Sequence, residues 1–298
     1  MASKTTPKQL LMFGFLCIMW GATWIGMKAG TATVPPGVFS GLRWSVAGAV
    51  LLGIRAVRGE AVLFPPREFW RVLLVGVLMI AINAIIQLYA LRYVGAGLAS
   101  VVGSALTPIA LLGFASWLGQ EQLRRHHFVA LGLGVSGILL LFGPKALTGR
   151  LDMAELFGTL AIIVSSLAYC LGSVLARPLM RTLAPAQMAA MANFLGGIVL
   201  LTASILFEPG AIAAMHLTWG IVPWSAWLFL LIPGSLGATT VYFILVRDWG
   251  ASRAGTYAFI SPIVSVLLGI ALLGEQIHPV DAIGMVLMLI AAWVALRK

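Results

Sequence analysis

The hydrophobic positions of this chain form long, almost continuous runs that short polar or charged segments interrupt. The runs at 9–27, 156–176 and 254–274 are examples, and each has about the 20 residues that a helix needs to cross a hydrocarbon core. With charges and turn residues as boundaries, the pattern predicts ten membrane-spanning helices. They lie near residues 10–28, 37–56, 70–91, 95–118, 127–143, 156–177, 186–207, 222–245, 251–273 and 279–296.

The composition is that of a membrane protein and excludes a soluble globule. Hydrophobic residues make up 61% of the chain and charged residues 9%, whereas a soluble domain carries about 25% charged residues. The mean hydropathy is +1.03. Two lysines precede the first apolar run, as in a signal peptide, but no small-residue cleavage site follows it. We therefore expect this run to be the first spanning helix of an all-α integral membrane protein.

The formal net charge of +10 would favour nucleic-acid binding in a soluble chain, but here the positions of the charges explain it. If the N-terminus is cytoplasmic, most Lys and Arg residues fall at cytoplasmic helix ends. The other side holds Lys28, Arg92, Lys145 and Arg150, and Arg43 lies inside a span. By the positive-inside rule we expect a multi-pass inner (plasma) membrane protein with both termini cytoplasmic. Its surroundings would be membrane lipid, and no nucleic-acid partner is expected.

An internal repeat divides the chain into two halves. A shift of 154 residues aligns a proline and a glutamate of each half, Pro108 with Pro262 and Glu121 with Glu275. Near the start of each half, a shift of 149 aligns Trp20 with Tyr169. We predict two five-helix units, 1–147 and 148–298. Because five is odd, the second unit enters the membrane from the opposite side, and such inverted repeats are typical of secondary transporters.

Three features of the sequence together resemble the drug/metabolite transporter superfamily, in its EamA-type branch. They are "WGATWIGMK" (20–28), "YALRYVGAGLAS" (89–100) and the two helices that run from a proline to a glutamate. The nearest functional group is the YddG-like amino acid exporters, and the resemblance covers nearly the whole chain. It implies two inverted five-helix units around a central cavity lined mainly by helices 1, 3, 4, 6, 8 and 9. The second half departs from the pattern at "ILVRDWGASRAG" (244–255).

Two groups of residues are candidates for lining such a cavity. Asn83 and Gln87 lie one turn apart on helix 3, and amides in hydrocarbon need partners, which a watery cavity or another helix can supply. Trp20 and Trp24 lie one turn apart on helix 1, where they could form an apolar wall for a substrate or pack in the core. Tyr169, the repeat equivalent of Trp20, could face it across the cavity. Tyr242 and Tyr257 are further candidates for the same wall.

Arg43 is the ionisable residue that lies well inside a predicted span. Its insertion costs about 2.5–3.5 kcal/mol on translocon scales, so it needs a partner. It could extend to the outer surface, pair with backbone carbonyls, or contact a substrate carboxylate. Four further polar residues in the spans are expected to serve helix packing: Ser104, Ser173, Asn193 and Thr239.

Several kinds of chemistry are missing from the sequence. No acidic residue falls in the middle of a span, and the four histidines fall in turns or loops, so proton-coupled export is disfavoured. Metal-ligand clusters, Walker-type glycine loops and nucleophile–base pairs are absent, so we expect no catalytic residue, cofactor or metal. Cys17 and Cys170 are interpreted as small apolar fillers. The stretch "EQLRRHH" (121–127) would suit a lipid-modifying enzyme, but it is more simply a positive-inside turn.

These observations predict a secondary transporter that exports small metabolites, above all neutral or aromatic amino acids, by alternating access. The alternatives within transport are a drug exporter and a metabolite importer of the same family. A membrane-embedded lipid-modifying enzyme is the alternative from another class of protein.

Overall fold

The computed structural model describes residues 6–62, 65–90, 93, 96–147, 153–273 and 279–296, and this part of the chain is helical apart from short turns. The helices, in chain order, are α1 (Pro7–Gly30), α2 (Pro36–Val57), α3 (Phe69–Gly76), α4 (Asn83–Ala90), α5 (Ala96–Trp117), α6 (Arg125–Leu147), α7 (Met153–Leu179), α8 (Pro185–Phe207), α9 (Ala211–Ala214), α10 (Ile221–Phe229), α11 (Thr239–Trp249), α12 (Ala251–Ala254), α13 (Tyr257–Leu273) and α14 (Pro279–Leu296). A 3₁₀ turn at Pro66–Glu68 precedes α3.

A helical segment lies at each of the ten predicted positions, with ends that differ by a few residues. In the described part of the chain, five spans are long and apolar enough to cross a membrane: Pro36–Val57, Pro66–Ala90, Leu156–Leu179, Pro185–Phe207 and Ile221–Trp249. The short helix α9 was not predicted. Its four residues lie between two spans, where the sequence shows no apolar run of spanning length.

The third helix of each half is not a uniform α-helix, which the sequence did not indicate. A π-helical segment at Val77–Ile82 joins α3 to α4, and a second at Leu230–Ala238 joins α10 to α11. Both occupy the same place in their halves. A π turn interrupts the regular hydrogen bonding of an α-helix and is frequent at functional sites.

Prolines lie at the starts of several helices and also inside others. Helices α1, α2, α8 and α14 each begin with one, which suits a position whose N–H has no helical partner. Pro108 and Pro262 instead lie inside α5 and α13. Because proline lacks an N–H, the carbonyls four residues earlier, at Ser104 and Ala258, lose their helical hydrogen bonds.

Helices α2 and α8 pack against each other in antiparallel orientation through glycines. A Cβ atom added to Gly48 would lie 2.3 Å from the backbone nitrogen of Phe194, and one added to Gly197 would lie 2.3 Å from that of Ser45. The repeat shift of 149 residues converts the first contact into the second. Other helix pairs recur in the same way, since α1 packs on α13 as α7 packs on α5.

The largest buried apolar cluster lies where α1, α7, α8 and α11 meet. Cys17 and Cys170 are buried in it as free cysteines, which agrees with their interpretation as fillers. Three of its residues, Met79, Ile80 and Tyr242, also line the central cavity described next.

Candidate functional site

A cavity of about 200 Å³ lies at the centre of the bundle. The resemblance implied a cavity lined by predicted helices 1, 3, 4, 6, 8 and 9, and all six contribute residues to it. Helix α2 also contributes Arg43 and Trp44. The lining residues are Trp20, Thr23, Met27, Arg43, Trp44, Met79, Ile80, Asn83, Gln87, Gly103, Ser104, Thr107, Ser166, Tyr169, Gly234, Thr239, Tyr242, Tyr257, Ala258 and Ser261.

One side of the cavity is a cluster of four aromatic rings. The ring of Trp20 lies 4.5 Å from that of Tyr257, 5.0 Å from that of Tyr242 and 6.2 Å from that of Tyr169, measured between centroids. The contacts with Tyr257 and Tyr169 are edge-to-face, a geometry that aromatic quadrupoles favour. Trp24 lies on α1, but its side chain is outside the described part of the structure.

Asn83 and Gln87, the two amides of the third membrane-spanning helix (Pro66–Ala90), also border the cavity. Asn83, the first residue after the π segment, donates from Nδ2 to the carbonyl of Ser165 on α7 at 3.1 Å. It therefore combines the two roles that the sequence left open, namely cavity lining and helix-to-helix hydrogen bonding. Gln87 forms no hydrogen bond with the other described residues, so its amide is available to the cavity.

Further polar groups reach the cavity from repeat-equivalent positions. Thr239 is the first residue after the second π segment, as Asn83 is after the first. Thr107 and Ser261 directly precede the two internal prolines. The sequence interpretation of Thr239 and Ser104 as packing residues was incomplete, because both also line the cavity. Neither repeat shift aligns Thr239 with Asn83 in the sequence, which therefore contained no signal for its place in the cavity.

The internal prolines add backbone acceptors to the same space. Ser104 and Ala258, whose carbonyls lack helical partners, are both lining residues. Freed carbonyls at broken helices are a common means of holding cations at the midplane of transporters. The cavity thus offers hydrogen-bond acceptors beside its aromatic wall.

Arg43 is buried, with 5% of its surface exposed. Its Nη1 donates to the hydroxyl of Ser235 in the second π segment at 2.9 Å, and its guanidinium lies 4.3 Å from the ring centre of Trp44. The Nε atom is buried without a hydrogen-bond partner. The side chain points into the protein rather than extending to the outer surface.

At one end of the bundle, Glu121 joins three helices. It accepts a hydrogen bond from the hydroxyl of Ser252 at α12, and one of its oxygens lies 3.7 Å from Nη1 of Arg177 at the end of α7. The same Arg177 nitrogen donates to the carbonyl of Gln120. This network explains the acid that ends the first Pro-to-Glu helix. The corresponding Glu275 lies outside the described residues.

At the other end, Glu208 is a buried carboxylate that the sequence analysis missed. It accepts hydrogen bonds from the backbone N–H groups of Gly37 and Val38 at the start of α2, from Tyr89 on α4 and from Ser204 on α8. A carboxylate at a helix N-terminus is favoured by the unpaired N–H groups and the helix dipole. Its position at a span end gave no signal of burial, because helix ends commonly carry exposed charges.

Apolar helices around a central cavity lined by polar groups are typical of multi-pass membrane carriers. The model of the EamA-like transporter family matches the chain twice, over residues 8–143 and 156–297. The chain belongs to this family, and it is therefore a transporter and not an enzyme.

Curated relatives extend over nearly the same length. The chain is 31% identical over 280 residues to the "Uncharacterized inner membrane transporter YedA" of Escherichia coli K12, an alignment that covers 92% of this chain and 87% of the relative. It is 27% identical over 272 residues to the "Uncharacterized transporter YoaV" of Bacillus subtilis, covering 90% of each chain. A solved structure that is 22% identical superposes with a TM-score of 0.82 over 98% of this chain and 97% of the other, and supports the fold.

These findings confirm the EamA-type assignment. The relatives do not single out the YddG-like amino acid exporters, so that narrower assignment stays a prediction. The double family match agrees with duplicated halves. The boundary between residues 147 and 148 and the substrate roles of the lining residues also remain predictions.

Proposed function

We propose that this protein is an inner-membrane carrier that exports small metabolites, above all neutral amino acids with apolar or aromatic side chains. It would do so by alternating access between two inverted five-helix repeats, with both termini in the cytoplasm. The observation that carries the proposal is the cavity itself, which is lined both by four aromatic rings and by amides, hydroxyls and freed carbonyls. An amino acid has the matching apolar and polar ends.

The size of the cavity favours a metabolite over a drug. Pockets for drug-sized ligands are roughly 300–1,000 Å³, whereas this cavity is about 200 Å³. None of its described lining residues is acidic, so no carboxylate is present there to hold a cationic drug. Both observations support the metabolite carrier over the drug exporter.

The contacts between the halves support the inverted arrangement. The Gly48 and Gly197 contacts between α2 and α8 exchange under the repeat shift and join antiparallel helices, as around an approximate two-fold axis in the membrane plane. In alternating access, two such halves rock about a fixed site. The Glu121 network would close the cytoplasmic end in this conformation.

The test is flux of labelled amino acids in liposomes, per correctly folded protein. We expect Trp20→Ala to reduce phenylalanine flux relative to alanine flux by about 2- to 10-fold, because an aromatic pair contributes about 0.5–1.5 kcal/mol beyond its buried area. Asn83→Ala should reduce both fluxes alike, because an amide would recognise the polar group that amino acids share.

Trp70→Ala is the matched control, because Trp70 is 74% exposed and is not among the lining residues. It should leave the flux ratio unchanged. If the wild type and both cavity variants show the same phenylalanine-to-alanine ratio, Trp20 and Asn83 are structural residues and the proposed aromatic specificity is wrong.

A further inference from the structure

The buried charge of Arg43 lacks a counter-ion among the described residues. The ion pairs in that part of the chain involve Arg55, Arg67, Arg71, Arg177 and Arg247. Arginine cannot lose its proton in a protein, so the cavity carries a fixed positive charge. Charged residues inside membrane spans are costly and mark substrate sites or paired groups.

The contacts of Arg43 leave much of its hydrogen-bonding capacity unused. A guanidinium has five N–H donors in a planar fork that matches a carboxylate. In Arg43, Nη1 reaches Ser235 and Nε has no partner, although the residue is more than nine-tenths buried. The face of the group is covered by Trp44. Arg43 is itself one of the residues that line the cavity.

We propose that the transported molecule carries a carboxylate and that Arg43 binds it, with the apolar part of the substrate against Trp20 and the tyrosines. This inference rests on the proposed function and specifies its substrate class as small carboxylates with an apolar side group. The carboxylate supplies the counter-ion that the cavity lacks. The α-amino group, by contrast, would donate to neutral acceptors such as the freed carbonyls, which bind it more weakly than an ion pair would.

If the role of Arg43 were purely structural, its removal would affect ligand binding differently. Arg43 ties α2 to the second π segment through Ser235, and Asn193 holds the carbonyl of the same residue at 3.1 Å. If Arg43 served only this tie, its removal would weaken every ligand equally. Loss of a carboxylate contact would instead weaken only ligands that carry the charge.

Binding to purified protein in nanodiscs separates these roles, with three probes of similar shape: L-phenylalanine, L-phenylalaninamide and 3-phenylpropanoate. We expect the wild type to bind the amide at least 10-fold more weakly than the amino acid, and to retain measurable binding of 3-phenylpropanoate. A charge-assisted hydrogen bond corresponds to a change of about 10- to 100-fold in Kd.

Three variants complete the test. Arg43→Gln should weaken both carboxylates about 10- to 100-fold and should not weaken the cationic amide, so that the preference for the acid disappears. Arg43→Lys should restore part of that preference, since it keeps the charge. Ser235→Ala should keep it, because this change removes the tie but not the charge.

The outcomes distinguish this inference from the proposed function. Equal binding of phenylalanine and its amide by the wild type, or equal weakening of all three probes by Arg43→Gln, would overturn the carboxylate site while amino acid transport could still hold. Arg43-dependent binding of 3-phenylpropanoate without binding of phenylalanine would support the site and overturn amino acid export. Failure of the wild type to bind any of the three would overturn both.

Discussion

Replacement of Gly48 by alanine should force α2 and α8 apart and destabilise the protein. The new Cβ would lie 2.3 Å from the backbone nitrogen of Phe194 and 2.5 Å from its Cα. Carbon atoms pack at about 3.5–4.0 Å, so the helices would have to separate by about 1 Å or more. A backbone atom cannot turn aside as a flexible side chain can, and the whole interface must therefore respond.

The expected change in the free energy of unfolding is the sum of two opposing contributions. Overpacking of a tight interface costs about 1–3 kcal/mol, whereas alanine in place of glycine gains up to about 1 kcal/mol of helix propensity. We expect a net loss of about 1–2 kcal/mol. Gly197→Ala should show a similar loss, because its contact with Ser45 is the repeat equivalent.

The same helix supplies the control. A Cβ added to Gly53 meets nothing within 4 Å, so Gly53→Ala should be neutral or slightly stabilising. The assay is thermal unfolding of the purified protein in detergent. Its readout is the fraction of the protein that still elutes as a monodisperse peak after heating. Equal unfolding midpoints for Gly48→Ala and Gly53→Ala would refute the close packing of α2 on α8.

Three further predictions concern the ends of the bundle and the driving force. Glu208→Ala should lower the free energy of unfolding by about 1–3 kcal/mol, since it leaves buried N–H groups at the start of α2 unpaired; an unchanged unfolding midpoint would show that water replaces the carboxylate. In a cysteine-free background, a cysteine at Arg124 should react with impermeant reagents from the cytoplasmic side and one at Gln276 from the outside, and reaction of both from one side would contradict the inverted repeat. A proton gradient imposed on liposomes should not drive uphill uptake of substrate, because no described lining residue is acidic; uphill uptake would show that a titratable group outside the cavity wall carries the proton.

The sequence was informative wherever a pattern recurred within the chain. Apolar run lengths placed the helices, and the repeat matched Trp20 with Tyr169, whose rings are in edge-to-face contact in the structure. The same periodicity placed Asn83 and Gln87 on one face, and both line the cavity. These features depend on local spacing and on symmetry, which a single sequence contains.

Features that depend on distant partners could not be predicted in this way. The hydroxyl that binds Arg43 belongs to Ser235, 192 residues away, and the groups that bury Glu208 come from α2, α4 and α8. The π segments lie within continuous apolar runs, where a shift in hydrogen bonding changes no residue type. Tertiary contacts select these details.

The π segment at Val77–Ile82 gives the third membrane-spanning helix, Pro66–Ala90, one residue more than a regular α-helix of the same length needs. Hydrogen bonds in a π turn span five residues instead of four, so such a turn contains one residue more than the α-helical turn that it replaces. Deleting one residue there would restore an unbroken α-helix and leave the packing of α3 and α4 in register. The shortened protein would fold with a stiffer third helix, and comparison of its substrate binding with its flux would separate recognition from movement.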